Sequence, residues 1–243
     1  MLRPFKADLH IHTCLSPCTE LGMSPKKILA AAKEKGIDII GICDHNSSEN
    51  SLAVMKASKK MDIHVIPGME VTSQEEVHVL ALFDDIRNAL ELQEYVYRNL
   101  PGENDEEAFG MQVIVNEKEE VLGFNKKLLI GATTMPLDEI LRQTHSLNGV
   151  TIASHIDRES FSIIGQLGFI PENLELDALE ISSNITFEEA LKKFKINYPI
   201  TCSSDAHYPD DIGKGFTSFL IKEGTLTEIK KALKNEDGRK LIQ

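Results

Sequence analysis

Two histidines near the N-terminus, His10 and His12, are separated by one residue at the end of a segment that we predict to be a strand. Alternate side chains of a strand point to the same face, so both imidazoles would project from one short piece of backbone. Imidazole is the commonest metal ligand in proteins. The pair therefore indicates a metal site, provided that the rest of the chain supplies further ligands.

Further histidines and carboxylates stand at or near the ends of other predicted strands. They are Asp44, His45, Glu70, His78, His155, Asp205 and His207. A parallel α/β barrel gathers the carboxyl ends of its strands on one face, so we expect these residues to converge. Glu70 is the expected bridging ligand, because a carboxylate can bind two cations and an imidazole cannot.

Three residues near these ligands are open to two interpretations. Asp44 and Asp8 could each orient a ligating imidazole, or could be ordinary buried or strand-end residues. Arg158 follows His155, and its guanidinium would suit a substrate phosphate, although a surface cation is the alternative. His145 ends a helix, where the macrodipole accounts for it, and like His64 it is assigned to no site.

The predicted elements alternate between strands and helices. Ser24-Pro25 indicates a helix start, and the apolar run 37–43 is typical of a strand buried on both faces. Repeated βα units predict a parallel sheet of seven or eight strands, near the number that closes a barrel. The segment 101–135 interrupts this pattern with alternating apolar residues around Met111 and Phe124. We therefore predict one domain over residues 1–243, with an inserted β-hairpin at roughly 101–135.

The composition favours a cytoplasmic protein, and the sequence has no stripe of basic residues that would bind nucleic acid. The chain has 243 residues, a formal net charge of −12 and four cysteines. A general nucleic-acid binder needs a basic stripe, because phosphate neutralisation supplies most of its affinity. We therefore expect a small phosphorylated substrate or a nucleotide, and no long duplex nucleic acid. No apolar run suits a membrane span or a signal peptide, so we expect no membrane partner and reduced thiols.

The order of these motifs resembles that of the PHP (polymerase and histidinol phosphatase) family of metal-dependent phosphoesterases, over essentially the whole chain. The matching motifs are His10-Ile11-His12, Asp44-His45, Glu70, His78, His155 and Asp205-Ala206-His207. The resemblance implies a distorted (β/α)7 TIM-like barrel and hydrolysis of phosphate esters. It also implies two or three divalent metal ions, for which mixed imidazole and carboxylate ligands suit zinc, manganese or iron.

Carried over by position, the resemblance implies three metal sites. The first would use His10, His12, Glu70 and Asp205, the second Glu70, His78 and His155, and the third His45, His207 and a residue of the loop after the first strand. Relatives often have Asp or His in that loop, whereas this chain has Ser16-Pro17-Cys18-Thr19-Glu20. Cys18, Glu20 or water would have to complete the third site.

Three functions remain open from the sequence. The first is a phosphoesterase acting on a small phosphorylated metabolite or on the end of a nucleotide or oligonucleotide. In it a hydroxide activated by several metals attacks phosphorus, with Glu70, His45 and His207 as catalytic residues. Histidinol-phosphate phosphatase is the alternative within that class. The unusual loop at Cys18 motivates a third function, a metal-binding regulatory module without catalysis. The sequence indicates no particular oligomeric state.

Overall fold

A computed structural model describes residues 1–194 and 197–242. The strands are β1 Arg3–Ile11, β2 Ile39–Ile42, β3 His64–Thr72, β4 His78–Leu82, β5 Val113–Val115, β6 Val121–Phe124, β7 Val150–Ala153, β8 Ala178–Ile181, β9 Ile200–Cys202, β10 Thr217–Ile221 and β11 Lys240–Ile242. The helices are α1 Pro25–Glu34, α2 Ser51–Ala57, α3 Ile86–Arg98, α4 Glu106–Phe109, α5 Leu137–Ser146, α6 Ile163–Leu167, α7 Phe187–Phe194 and α8 Leu226–Leu233.

Nine strands form one curled sheet in the order β11-β10-β1-β2-β3-β4-β7-β8-β9. An isolated parallel bridge between Ile11 and Ala206 joins the end of β1 to the loop after β9, so the sheet curls back towards itself. The mixed α/β, barrel-like fold predicted from the sequence is confirmed. The count of seven βα units is not confirmed, because β4 is antiparallel to both of its neighbours and β10 is antiparallel to β1 and β11.

The first βα unit follows the sequence signals closely. Ser24 has an extended backbone and immediately precedes α1, with Pro25 as the first helical residue. Ile28 and Leu29 are buried on the face that packs against β2, whose four residues are all buried. Gly36 adopts a left-handed φ of 66° just after the helix, a conformation that favours glycine. This packing places the end of β2 beside the end of β1.

The predicted hairpin is present as a separate two-stranded sheet. β5 and β6 pair antiparallel, with Val113 opposite Phe124. The hairpin packs on the loop after β1, where the Val113 N–H donates to the Cys14 carbonyl at 3.0 Å. The hairpin therefore packs against and supports the loop that carries Cys18.

Across residues 1–194 and 197–242, no helix is both long enough and apolar enough to cross a bilayer.

Candidate metal centre

Glu70 lies at the centre of a ring of five imidazoles. Its carboxylate oxygens are within 3.5 Å of one ring nitrogen each from His10, His12, His45, His78 and His155. The antiparallel direction of β4 explains how His78 arrives there. As the first residue of β4, His78 pairs with Thr72 at the end of β3, so it lies at the same edge of the sheet as Glu70.

Asp205 is the second carboxylate of the cluster. Its Oδ1 lies 3.3 Å from His10 Nε2, 3.2 Å from His12 Nε2 and 3.7 Å from His207 Nδ1. The backbone is not extended through this segment, because Asp205 has a left-handed φ of 49°. Non-glycine residues in this region are uncommon and gather at functional sites. The turn still brings both Asp205 and His207 to the cluster.

A carboxylate that sequence reasoning missed, Glu180, fixes the orientation of His10. Its Oε1 accepts hydrogen bonds from His10 Nδ1 at 2.9 Å and from the His155 backbone N–H at 3.2 Å. Glu180 belongs to β8 and is only 1% exposed. A single acidic residue inside the apolar segment Ala178–Ile181 was the available signal, since an isolated buried carboxylate is costly. When the His10 imidazole is neutral and donates from Nδ1, the lone pair is on Nε2, which faces the cluster.

His12 is also oriented by a hydrogen-bond partner, here a serine hydroxyl that is itself bonded to a carboxylate. Ser16 Oγ donates to Asp44 Oδ1 at 2.7 Å and lies 3.0 Å from His12 Nδ1. A hydroxyl has one proton to donate, so His12 Nδ1 must be the donor to Ser16. The lone pair of His12 Nε2 then also points into the cluster. Asp44 therefore orients an imidazole as expected, acting through Ser16.

Asp8, for which two interpretations were open, is bonded to backbone and not to an imidazole. Its two carboxylate oxygens accept from the backbone N–H groups of Ser204 and Gly213, at 3.0 and 2.9 Å. It thus holds the loop that carries Asp205. Burial raises the pKa of Asp8 to about 6, against the lowering effect of these hydrogen bonds.

The loop after β1 contributes Cys18 and not Glu20. The ligand atoms of Cys18, His12, His45 and His207 all lie within 4.8 Å of one another. Burial alone would raise the pKa of the Cys18 thiol, but hydrogen bonds with His207 and His45 lower it to about 7. Glu20 is exposed and belongs to none of the three ligand groups found among the described residues.

The electrostatics of the cluster fit divalent metal ions. The Nε2 atoms of His10 and His12 are 3.2 Å apart, and the hydrogen bonds of both rings turn lone pairs towards each other. Asp205 Oδ1 lies beside both, so three electron-rich atoms face one point. Burial acts to raise the pKa of Asp205 and of Glu70, but nearby imidazoles hold each pKa well below its usual range. A bound cation would make this arrangement favourable.

Several buried atoms of the cluster also have no hydrogen-bond partner. They are His45 Nδ1, Glu70 Oε1, His78 Nδ1, His155 Nδ1 and Asp205 Oδ1. Buried polar atoms are nearly always hydrogen-bonded, so such a concentration needs an explanation. Mixed imidazole and carboxylate donors are the ligands that zinc, manganese and iron accept. The residues present therefore fit the metals that the resemblance implies.

The ligand groupings differ in part from those expected. The structure groups His10, His12 and Asp205, and separately His45, Glu70 and His78. His155, expected in the second site, has its Nε2 3.3 Å from Glu70 Oε1. His145 lies apart from the cluster, 2.8 Å from Asp177, as its exclusion from the site predicted.

The cluster opens into a cleft of about 590 Å³. His45, Glu70, His78, His155 and His207 line its floor. Arg158 stands at the mouth, with its Nη1 2.6 Å from Asp205 Oδ2 and its side chain 44% exposed. The cleft gives a substrate access to the ligand cluster from solvent.

Comparison with protein-family models decides the family. Residues 8–168 match the PHP domain, and residues 191–237 match the PHP-associated C-terminal region. The chain belongs to the PHP family. The family's dependence on metals, which the resemblance implied, agrees with the donor set just described.

Individual relatives resemble this chain in sequence or in fold. An uncharacterised protein of Methanocaldococcus jannaschii is 34% identical over 100 residues, covering 37% of this chain and 58% of that protein. The lesion-specific endonuclease Q of Pyrococcus furiosus has a TM-score of 0.72 and 22% identity, covering 98% of this chain and 58% of that one. The chain thus spans less than two thirds of the length of these relatives.

A second endonuclease Q structure corrects one expectation. It holds a 27-mer duplex substrate with an abasic lesion at the active site, and matches this chain with a TM-score of 0.68 and 22% identity, over 98% of this chain and 58% of that one. Excluding long duplex nucleic acid as a partner was therefore wrong. Net charge describes the whole surface, whereas an enzyme needs only a few local phosphate contacts.

Proposed function

We propose that this protein is a metal-dependent phosphoesterase that acts on nucleotide phosphate esters, including those within or at the end of a nucleic-acid strand. The observation that carries the proposal is the open cleft over the ligand cluster, with Arg158 at its mouth. A guanidinium fork suits the oxygens of a phosphodiester. Arg158 would hold one phosphate oxygen while Asp205 keeps its side chain over the cluster.

The residues of the cluster would hold about two or three divalent ions, which when bound would activate water and neutralise phosphate charge. Glu70 would help to hold more than one ion, because each of its oxygens faces different imidazoles. His45 and His207 line the cleft and are the proposed proton carriers for the leaving oxygen. Glu180 and Ser16 keep the imidazoles of His10 and His12 in the ligating orientation.

A second cleft adjoins the first. It shares Asp157 and Asn184 with the first cleft and is also lined by Lys192 and Lys193. Two lysines beyond the reacting phosphate would contact further phosphates of a polynucleotide. This continuity, together with the fold shared with endonuclease Q, favours a nucleotide chain over a small metabolite.

The two alternative functions are less well supported. Histidinol phosphate is not favoured, since neither the second cleft nor the endonuclease Q fold points to it. The non-catalytic module was motivated by the loop at Cys18, and that loop brings its thiol to three imidazoles of the cluster. The loop therefore gives no reason to propose a loss of catalysis.

We further propose that residues 1–243 form one domain with an insertion at roughly 101–135. Its support is the sheet, because β10 and β11 lie in or next to the PHP-associated region and continue the sheet that contains β1. The cytoplasm remains our proposed location, since all four cysteines are free thiols.

Activity on defined esters tests the proposed function. Protein stripped of metal and reloaded with Mn²⁺ or Zn²⁺ would be assayed on nucleotide methyl esters, single-stranded oligonucleotides, and duplexes with and without an abasic position. We expect metal-dependent cleavage of at least one nucleotide substrate, abolished in Glu70→Gln and strongly reduced in Arg158→Ala. Hydrolysis of histidinol phosphate alone, or no hydrolysis by metal-loaded protein, would refute the proposal.

A further inference from the structure

Phe161 at the rim of the cleft has an unusual backbone and an exposed ring. Its φ is +57° and the residue is 41% exposed. For a bulky residue the left-handed region is a genuine outlier, and such strain persists only where the surroundings impose it. An exposed aromatic ring held in this way needs an explanation beyond packing.

The neighbouring structure fixes Phe161 firmly against the metal-ligand cluster. The Phe161 carbonyl accepts a hydrogen bond from the His78 N–H at 2.9 Å, and its ring stacks on the His78 imidazole with centroids 4.7 Å apart and an interplanar angle of 21°. Ser162 fastens the following turn, because its hydroxyl donates to the Arg158 carbonyl at 2.6 Å and accepts from the Gly165 N–H at 2.9 Å. One face of the ring thus covers His78, and the ring remains substantially open to solvent.

Phe161 and Arg158 stand on the same short loop and line the same cleft. The loop therefore presents a cation and a flat apolar ring to one cleft, whose lining also includes Glu70 and His78. A nucleotide has the matching pair of features, a phosphate and a planar base joined by a sugar. Bases stack on exposed aromatic side chains regardless of their sequence.

We propose that Phe161 is a stacking platform for the base adjacent to the scissile phosphate. The proposal rests on the proposed function, and it assigns a nucleobase-binding position that distinguishes nucleotide esters from other phosphate esters. Phe161 determines specificity through substrate binding, whereas the cluster performs the hydrolysis.

Two substrates that differ only in the base test the platform. They are the methyl ester of thymidine 5′-phosphate and the methyl ester of 1,2-dideoxyribose 5-phosphate, assayed with metal-loaded wild-type protein, Phe161→Ala and Phe161→Tyr. We expect Phe161→Ala to raise KM for the thymidine ester roughly tenfold, with little change in kcat and little change for the base-free ester. Phe161→Tyr should restore the wild-type KM. Phe169→Ala, at a residue that is 64% exposed and outside this cleft, is the matched control.

A binding measurement separates stacking from catalysis. The fluorescence of a single strand carrying 2-aminopurine should be quenched when the strand binds metal-loaded wild-type protein or Phe161→Tyr. Binding to Phe161→Ala should quench it much less. If binding quenches the 2-aminopurine fluorescence of the strand but the two esters have the same KM, the platform serves polynucleotides. If the two esters differ in KM but the fluorescence of the strand is not quenched, the platform serves free nucleotides. Either result supports the platform.

The outcomes that overturn the platform differ from those that overturn the proposed function. If Phe161→Ala loses metal and slows both esters equally, then Phe161 only shields His78 and the platform is wrong. Equal KM values for both esters in every variant, with unchanged quenching, would also refute it. If the metal-loaded wild-type protein hydrolyses neither ester and no oligonucleotide, the proposed function itself fails.

Discussion

The orientation of each imidazole is decided by atoms outside the cluster. His10 donates to Glu180 and His12 donates to Ser16, so that both rings turn Nε2 inward. Partners of this kind fix the ring and raise its basicity as a ligand. The two relays come from different parts of the chain, β8 and the loop after β1, which makes the site depend on the packing of both halves of the sheet.

Glu180→Gln tests the relay to His10. The amide can donate as well as accept, so it no longer enforces a proton on His10 Nδ1. We expect metal affinity to fall roughly 10- to 100-fold, with far-UV circular dichroism unchanged. Competition with a chelating dye measures the affinity. Glu223→Gln, at an exposed residue far along the chain, is the control, and equal affinities of the two variants would contradict the relay.

The side chains that the structure brings into the cluster could be identified from the sequence, because they stand at or near the ends of strands in a recognisable order. Glu180 was not, since one carboxylate within an apolar strand identifies no partner. The choice between Cys18 and Glu20 also required the structure. Both lie in one irregular loop, where side-chain direction does not follow from spacing.

At the scale of elements, the sequence prediction missed the antiparallel directions of β4 and β10. Only residues 73–77 connect β3 to β4. A parallel connection needs a crossover of about a dozen residues or more, so this short link was a signal for an antiparallel pair. The helix α1 and the buried strand β2 were predictable, because their signals are local: a proline at the start, a glycine at the end and an unbroken apolar run.

Gly41 tests how tightly β2 is packed against β1. A Cβ added to Gly41 would lie 2.3 Å from the Leu9 carbonyl oxygen, which is backbone and cannot move aside cheaply. We expect Gly41→Ala to lower the free energy of unfolding by about 2 kcal/mol or more. Gly123→Ala, in β6, is the control, because a Cβ added there would meet nothing within 4 Å. Urea unfolding would compare them, and equal losses would show that the close approach is not what matters.

Asp177 links α5 to the sheet and makes a pH-dependent contribution to the free energy of unfolding. It accepts from His145 Nε2 at 2.8 Å and from the Thr151 N–H at 2.9 Å. Burial would raise its pKa, but these hydrogen bonds lower the pKa below the usual 3.8. The stabilisation is thus present above pH 3.8 and is lost as the pH falls through the lower folded-state pKa.

The corresponding variant is Asp177→Asn. We expect it to reduce the free energy of unfolding by about 1 kcal/mol at neutral pH, with the difference from wild type shrinking under acid conditions. Denaturant titrations at neutral and acid pH measure this. The exposed neighbour Glu175, changed to Gln, should show no such loss. A difference that grows on acidification would contradict the sign.

At the scale of the whole molecule, the cluster brings together residues that are almost 200 positions apart in the sequence. His10 and His12 come from β1 and its end, and Asp205 and His207 come from the loop after β9. Metal bound between them should therefore stabilise the entire fold. A ligand that binds only the native state stabilises by about 4 kcal/mol at a thousand times its dissociation constant.

Metal removal should accordingly lower the melting temperature. We expect a chelator to reduce it by several degrees, since about 1 kcal/mol corresponds to roughly 2–4 °C in a chain of this size. Adding Zn²⁺ or Mn²⁺ back should restore it, as scanning calorimetry would show. A melting temperature that changes with neither chelator nor added metal would mean that the cluster binds no ion that stabilises the fold.

The most direct test of the account is the metal content of the protein and of Glu70→Gln. Both would be loaded with Zn²⁺ or Mn²⁺, desalted, and measured by inductively coupled plasma mass spectrometry. Because Glu70 lies between the imidazoles of neighbouring groups, we expect about two or three ions per wild-type chain and at least one fewer in the variant. One ion or none in the wild-type protein, or an undiminished content in Glu70→Gln, would contradict the multinuclear centre.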